Sequence, residues 1–321
     1  MKISIAICTY NGEKFLQEQL DSFAMQTRLP DEVIVCDDCS KDSTREILTA
    51  FAESAEFPVK LYFNEQNLGY LRNFTKAIKL CTGDVIVLSD QDDVWRADKL
   101  ELMEVEFAKS EKVGMVYADA EIVDELLRPI SSTMWQQSGF SNEKQELFTH
   151  GKAFDLLLTD GYVYGSSMAF RAVYRDLILP FPENTLFIHD NWIALMISAV
   201  AQVALIKEYL IKYRQHQSQS IGIRVEKNSK LNNLVKSGRR INEYDGTINQ
   251  LEIAEEKLNE SNYSVEEVMS KISLAKKHVL VRANLPNSVV LRLFKVGREL
   301  IAGNYHRYYN GFGSAIKDLL N

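Results

Sequence analysis

At 321 residues, with 46% hydrophobic and 25% charged side chains, the chain has the make-up of a globular protein with one large domain or two ordinary ones. That composition excludes disordered and fibrous classes. A formal net charge of −7 speaks against nucleic acid as a partner, because phosphate backbones are held by basic fields.

Residues 3–8 (ISIAIC) form a short apolar run, predicting a buried strand that stops at the turn cluster Thr9-Tyr10-Asn11-Gly12. Phe15, Leu16, Leu20 and Phe23 then recur at helical spacing. A second apolar run, 33–36, ends in Asp37-Asp38, after which Ser40 and Asp42 are placed to cap a helix over about residues 43–53. Residues 59–63 predict a strand and 70–80 a helix, with Gly83 as its C-terminal stop. A fourth strand, 85–88, ends in Ser89-Asp90-Gln91-Asp92-Asp93. Strand and helix thus alternate, and the strands are continuously apolar, which predicts an α/β fold with a parallel sheet covered on both faces. In such sheets ligands bind beyond the carboxyl ends of the strands, where these polar clusters fall.

Beyond Asp93 the pattern is mixed. Residues 99–109 read as a helix, 113–118 as a strand and 126–150 as irregular loop. Residues 163–170 suit a strand, as do 203–206 and 209–213. The longest apolar stretch, 192–206, is interrupted by Ser198 and Gln202 and falls short of the roughly 20 residues of a membrane span, so it reads as a buried helix. Residues 225–321 carry Leu, Lys, Glu and Asn at helical spacing with a break at Pro286. The expected division is a catalytic domain over 1–222, comprising a nucleotide-binding half (1–95) and an acceptor half (96–222), followed by a helical region over 223–321. The last segment mixes Leu291, Leu293, Phe294 and Tyr305 with Arg292, Lys295, Arg298 and Arg307, a mixture found both in ordinary helices and in helices lying on anionic membranes.

Four cysteines, Cys8, Cys36, Cys39 and Cys81, lie in the first quarter. Cys36 and Cys39 form a C-x-x-C, but no second ligand pair accompanies it, so the four read as small buried side chains. With no secretory h-region at the N-terminus, a reducing cytoplasm is the expected setting.

Asp90, Asp92 and Asp93 crowd three carboxylates at one strand end, and such groups repel unless a cation or hydrogen-bond donors lie among them. Asp90 and Asp92, two apart in extended chain, point the same way. This suits one carboxylate to a ribose hydroxyl and the other to Mg²⁺ or Mn²⁺ holding a diphosphate, the plainer alternative being an acidic loop capping the next helix. A carboxylate in Asp37-Asp38 can accept the imide N–H of uracil or thymine, with Thr9 and Tyr10 flanking the base.

Taken in order, Ile7-Cys8-Thr9-Tyr10-Asn11-Gly12, the 37–42 segment, Asn67-Leu68-Gly69 with Arg72-Asn73, Gly83-Asp84 and Ser89–Asp93 with Val94-Trp95 resemble the family-2 glycosyltransferases, inverting enzymes of the GT-A fold. That resemblance implies a nucleotide-diphospho-sugar transferase fold, Rossmann-like and mostly parallel, with a helical C-terminal region. It implies nucleotide-sugar contacts from Thr9, Tyr10, Asn11, Asp38, Arg72 and Asp90, and metal contacts from Asp92, Asp93 and His216, the alternatives for His216 being a diphosphate contact or an ordinary surface or core histidine. It also implies a general base in Asp190, within Phe187-Ile188-His189-Asp190-Asn191-Trp192, whose plainer alternative is a helix N-cap. Gly165-Ser166-Ser167 resembles a stretch bordering the acceptor. The absence of Q-x-x-R-W and of flanking membrane helices sets the chain apart from processive synthases. Ser-Asp-Gln-Asp-Asp-Val-Trp, the H-D-x-W-like segment at His189-Asp190-Asn191-Trp192 and a Tyr/Gly-containing basic tail are together similar to bacterial rhamnosyltransferases of surface-polysaccharide assembly, implying dTDP-β-L-rhamnose as donor and a glycan or lipid-linked glycan as acceptor. A UDP-hexose or UDP-N-acetylhexosamine donor stays open, as does an inactive sugar-nucleotide-binding module. A nicotinamide-dependent oxidoreductase would need G-x-G-x-x-G where the chain reads Thr9-Tyr10-Asn11-Gly12-Glu13-Lys14. The expected location is cytoplasmic, with peripheral contact at the inner membrane face through the C-terminal helices.

Overall fold

The fold was obtained as a computed structural model, which describes residues 1–130, 132–158, 161–183, 188–217, 219, 237–309 and 311–320. The chain splits into two compact units, one of Met1–Ala153, Gly161–Phe181 and His189–Ile223, the other of Phe154–Asp160, Pro182–Ile188 and Arg224–Asn321.

The first unit is built on a sheet of eight strands, β1 (Ile3–Thr9), β2 (Glu32–Asp37), β3 (Val59–Phe63), β4 (Val85–Ser89), β5 (Val94–Trp95), β6 (Val113–Val123), β7 (Met168–Arg171) and β8 (Gln202–Arg214). Their order across the sheet is β3-β2-β1-β4-β7-β6-β8-β5. Strands β1 to β4 are mutually parallel, joined by helices α1 (Leu16–Ala24), α2 (Thr44–Ser54) and α3 (Tyr70–Leu80), with α4 (Lys99–Ala108) following β5. Strand β7 enters antiparallel to both β4 and β6, and β8 runs parallel to β6. Ile3, Ile5, Ile7, Val33, Val35, Val85 and Val87 are buried in one core with Leu16, Leu20 and Phe23 of α1. Each such side chain stabilises the fold by about 1.5–3 kcal/mol relative to exposure.

The parallel register decides where the polar clusters meet. Thr9 lies beside Asp37, and Ile7 beside Ser89, so the chain leaves β1, β2 and β4 at one edge of the sheet. Strand β5 pairs antiparallel with β8, Val94 against Lys212. The residues just before β5 therefore lie beside those just after β8, and Asp92 and Asp93 meet Arg214 and His216.

Several elements differ from the sequence-based expectation. Residues 126–150 contain short helices, Met134–Gln137 and Asn142–Leu147, followed by a π-helical turn over Phe148–Lys152. Each is too short for a periodic signal, and single anchors (Trp135, Phe140 and Phe148) fix them in an aromatic cluster. The apolar stretch 192–206 divides, with a helix over His189–Ser198 and β8 from Gln202. That helix is buried on nearly every side, which is why its sequence lacks a polar face. Ser43, and neither Ser40 nor Asp42, stands at the N-cap of α2, although an Asp42 carboxylate oxygen accepts the Thr44 backbone N–H at 3.1 Å.

In the second unit the helices Ser237–Glu260 and Glu266–Ala283 bury Leu251, Ala254, Leu258, Ile272, Ala275 and Val279. After Pro286 come helices Val289–Ile301, Asn304–Tyr308 and Phe312–Leu320, with Val296, Tyr305 and Ala315 as their own small core. Arg282 is ion-paired to Asp318 at 2.6 Å, the Tyr305 hydroxyl donates to the same carboxylate at 2.7 Å, and the His278 ring meets Glu299 at 2.7 Å. No helix among the described residues is long and apolar enough to cross a membrane.

Gly83 is required for a reason other than helix termination. Helix α3 ends at Leu80, and a Cβ on Gly83 would stand 2.7 Å from Ser4 Oγ and 2.9 Å from the Lys2 carbonyl oxygen. Two of the atoms it would meet are backbone of the chain entering β1, so they have little room to yield. Gly83→Ala is expected to lower stability by about 1–3 kcal/mol through overpacking, read as a reduced urea midpoint with unchanged slope.

Candidate active site

The loops after β1 and β2 are welded together by local hydrogen bonds. The Asn11 amide N–H donates to Ser40 Oγ at 2.9 Å, while Asn11 Oδ1 accepts the Lys41 N–H at 2.8 Å. Asn11 holds φ at 47°, the left-handed region that asparagine tolerates better than most residues. The Gly12 N–H donates to Thr44 Oγ1 at 2.8 Å. Thr9 Oγ1 donates to Asp37 at 3.1 Å, and Asp37 also receives Arg45 at 2.8 Å.

Asp38 is buried and organises a third loop. It accepts the Leu68 N–H at 2.7 Å, the Gly69 N–H at 2.9 Å and the Asn64 side-chain amide at 2.9 Å. Gly69, at φ 80°, makes the left-handed turn that brings its N–H onto Asp38 and starts α3. Arg72 lies exposed in the first turn of α3, and Tyr10 is exposed at the edge of the sheet.

Gln91, which the sequence reading passed over, staples the acidic loop to the loop after β1. Its Oε1 accepts the Tyr10 N–H at 2.8 Å and its Nε2 donates to the Tyr10 carbonyl at 3.1 Å. A Cβ on Gly12 would collide with the Gln91 amide, so glycine there leaves room for the staple.

Around this staple the acidic residues take different environments. Asp90 and Asp92 are half-buried, whereas Asp93 is fully buried. Burial, then Asp92 and Asp190, push the Asp90 carboxyl above its ordinary range. Burial and the charges of Asp92 and Asp90 raise Asp93 strongly. The Cys8 thiol near the end of β1 is raised by burial, then by Cys36, Asp90 and Asp38. Among the described residues the four cysteines are free thiols, and burial pushes Cys36 and Cys81 up to about 12.

Two buried basic side chains lie beside the cluster. Arg214 donates its backbone N–H to Asp93 at 3.1 Å and its Nε to the Asp92 carbonyl at 2.9 Å, pairs with Glu18, and stacks on Phe15 with the guanidinium 4.5 Å from the ring centre. Lys99 is fully buried, donates to the Ser166 carbonyl at 2.7 Å and lies 3.4 Å from the centre of the Trp95 ring. Burial pulls its ammonium well below the usual lysine range, against the opposing pull of Asp93 and Asp90. The need for such cations was legible in the crowded carboxylates; which residues would supply them was not.

His216 Nε2 lies 2.8 Å from Asp92 Oδ2, and its ring packs on Phe15 at 4.6 Å. One carboxylate and one imidazole are thus in contact, while Asp93 Oδ2 is buried without a hydrogen-bond partner. Among the described residues no three His, Cys, Asp or Glu side chains form a ready cage for a metal. The donor set still suits Mg²⁺ or Mn²⁺, because a small hard cation is commonly held by one or two carboxylates with substrate phosphates completing the shell.

Asp190 sits in the first turn of the helix His189–Ser198, one residue inside it, and is not its N-cap. Its Oδ2 accepts the Gly165 N–H at 3.0 Å and its Oδ1 the Asn191 N–H at 2.6 Å. Burial pushes its carboxyl up to about 7 in spite of these bonds. His189 is also buried, stacked on Phe74 at 4.4 Å, and burial pulls it down to about 4. A Cβ on Gly165 would lie 3.2 Å from the His189 ring, so the close backbone approach that delivers the N–H to Asp190 suits glycine.

Comparisons with known proteins agree with this architecture. The sequence profile of glycosyl transferase family 2 matches residues 4–177, more than half of the chain. An Escherichia coli relative, the UDP-Glc:alpha-D-GlcNAc-diphosphoundecaprenol beta-1,3-glucosyltransferase WfgD, is 33% identical over 122 residues, covering 38% of this chain and 47% of that protein. The chain spans 65% of the length of two further curated relatives. The crystal structure of S. aureus TarS 1–349 in complex with UDP-GlcNAc superposes with a TM-score of 0.58 at 16% identity, covering 94% of this chain and 81% of that one. The mannosyltransferase PcManGT of Pyrobaculum calidifontis, in complex with GDP-Man and Mn²⁺, gives 0.53 at 16% identity, covering 99% and 86%. At such identities the two structures establish the fold, a GT-A-like mixed α/β sheet with a helical C-terminal region. The sheet edge, its acidic loop and the family profile together make this chain a member of glycosyl transferase family 2.

Proposed function

We propose that the chain is an inverting, metal-dependent glycosyltransferase that moves one sugar from a pyrimidine nucleotide diphosphate to a hydroxyl of a glycan or lipid-linked glycan. The observation that carries this reading is Asp190, a buried carboxylate that accepts the backbone N–H groups of Gly165 and Asn191 and the Asn191 side-chain amide. Gly165 lies just before β7, whose antiparallel pairing with β4 sets it beside the acidic loop. A base held near neutrality and an acidic clamp at the same sheet edge are what sugar transfer to a hydroxyl requires. Both speak against an inactive binding module.

In this reading residues 1–222 form the catalytic region, with the donor on 1–95 and the acceptor on 96–222, and 223–321 form the helical appendage. Thr9, Tyr10, Asn11 and Asp38 border the base, Asp90 the ribose, and Arg72 the diphosphate. Asp92 and His216 would hold the cation, with Asp93 buried behind them. The cation, when bound, offsets the charge that develops on the departing diphosphate. Asp190 takes the proton from the acceptor hydroxyl as its oxygen attacks the anomeric carbon opposite the leaving group, and one displacement inverts that centre. Gly165 and Asn191 hold the carboxylate in line.

The Ser-Asp-Gln-Asp-Asp-Val-Trp segment supports dTDP-β-L-rhamnose as donor. A UDP-hexose or UDP-N-acetylhexosamine is the second reading, supported by the UDP-sugars named for WfgD and TarS. The diphosphoundecaprenol acceptor named for WfgD supports a lipid-linked acceptor at the inner membrane face, approached peripherally through the C-terminal helices.

A thermal-shift panel of UDP- and dTDP-sugars with and without Mn²⁺ tests the clamp. Nucleotide at a hundred times its dissociation constant should stabilise the protein by about 2.7 kcal/mol. Asp92→Ala is expected to abolish the metal-dependent part; a shift independent of metal and unaltered by that substitution would remove the clamp. For the base, Asp190→Asn should keep the nucleotide shift and lose transfer by about 10²-fold or more. Asp190 must be ionised to accept a proton and its carboxyl is raised to about 7, so kcat/KM should fall about tenfold per unit as pH drops below about 7 and level off above it. A profile flat from pH 5 to 8 would exclude Asp190 as the base.

A further inference from the structure

We propose that the outward faces of helices Val289–Ile301 and Phe312–Leu320 form a docking surface for an anionic lipid bilayer. The proposal deepens the reading of a membrane-borne acceptor, and rests on that reading only for its purpose.

Each of the two helices turns one side inward and a separate apolar stripe to solvent. Val296 and Ala315 fill their shared core, with Leu300 and Leu319 partly buried against it. On the first helix Val290, Phe294 and Ile301 fall at i, i+4 and i+11; on the second, Phe312, Ile316 and Leu320 fall at i, i+4 and i+8. These six side chains are 54% to 91% exposed. Scattered exposed apolar residues are ordinary, but an exposed apolar stripe on each of two helices that share a core is of the kind that marks an interaction surface.

Charge says what covers it. Between residues 289 and 320 the chain carries Arg292, Lys295, Arg298, Arg307 and Lys317 against Glu299 and Asp318 alone. Both acids are buried, Glu299 against His278 and Asp318 against Arg282. Arg298, Arg307 and Lys317 are exposed, so this segment is basic on a chain of net charge −7. Exposed stripes of Phe, Leu, Ile and Val flanked by Arg and Lys, with no exposed acid between them, match a headgroup layer with acyl chains beneath. A second copy of the chain fits less well. A two-fold dimer would lay the same basic flanks against each other, and like charges meeting across an interface are costly.

Flotation of the full chain with vesicles of phosphatidylcholine alone, or with phosphatidylglycerol added, tests the surface. Binding is expected to the anionic vesicles, weakened by raising salt from 0.1 to 0.5 M. Phe294→Ser, Ile301→Ser and Phe312→Ser together should reduce it at least tenfold. Arg298→Gln and Lys317→Gln should each cost about fivefold. All five positions are exposed and outside the sheet edge, so the nucleotide-induced thermal shift should be unchanged. Equal binding to both vesicle types, no binding at all, or a dimer that the triple serine variant converts to monomer would overturn the proposal. Vesicle binding without any nucleotide shift would instead sink the transferase reading and leave the surface standing.

Discussion

Negative charge crowded at the end of β4 is the constraint around which the catalytic unit is arranged. Asp90, Asp92 and Asp93 cannot share that space as anions unless the protein supplies positive charge and donors. It supplies them from distant parts of the chain. Arg214 arrives from the end of β8, and Lys99 from the start of α4. The imidazole of His216 closes on Asp92. The three acids are thereby given unequal surroundings. Asp93 faces inward, accepts a backbone N–H from the β8 end and anchors the loop, while Asp90 and Asp92 stay partly open to solvent. Burying two basic side chains is unfavourable by itself: Glu18 and the Phe15 ring offset it for Arg214, whereas for Lys99 burial outweighs the pull of Asp93 and Asp90.

The remainder of the sheet edge is rigid for a related reason. Loop backbone left without partners at strand ends must find them in side chains. Asp38 satisfies Leu68 and Gly69, Asn11 satisfies Lys41, and Gln91 satisfies both backbone groups of Tyr10. Polar residues that look like ligand-binding groups in the sequence therefore have structural duties as well. Asp190 shows the same economy. The backbone N–H groups that orient it stabilise its anion, burial opposes them, and the balance leaves a carboxyl near neutrality.

The last helices of the C-terminal unit bury their two acids, in the Arg282–Asp318–Tyr305 and His278–Glu299 groups, and leave apolar stripes exposed. Arg282 also lies 3.8 Å from the Tyr309 ring centre, so its charge is held by an aromatic face as well as a carboxylate. Such directional pairing fixes how short helices meet where Val296, Tyr305 and Ala315 give only a small core.

Local sequence determined much of this protein. Continuous apolar runs specified β1, β2 and β4, helical spacing specified α1 and α3, and the polar clusters after those strands had to fall at one sheet edge because the strands are parallel. Tertiary structure alone decided the rest. Nothing local in Arg214 or Lys99 shows that each will meet the acidic loop or its surroundings, nor in Gln91 that it will meet Tyr10, since those meetings follow from β5 pairing with β8, from α4 packing on β6 and β8, and from β1 lying beside β4. Gly83 reads as a helix stop and is in fact a close approach to the chain entering β1. The Met134–Lys152 helices carry no periodic signal because single buried aromatics hold each short turn in place. Periodicity and turn chemistry are properties of neighbours in the chain; charge compensation, desolvation and steric clearance are properties of neighbours in space.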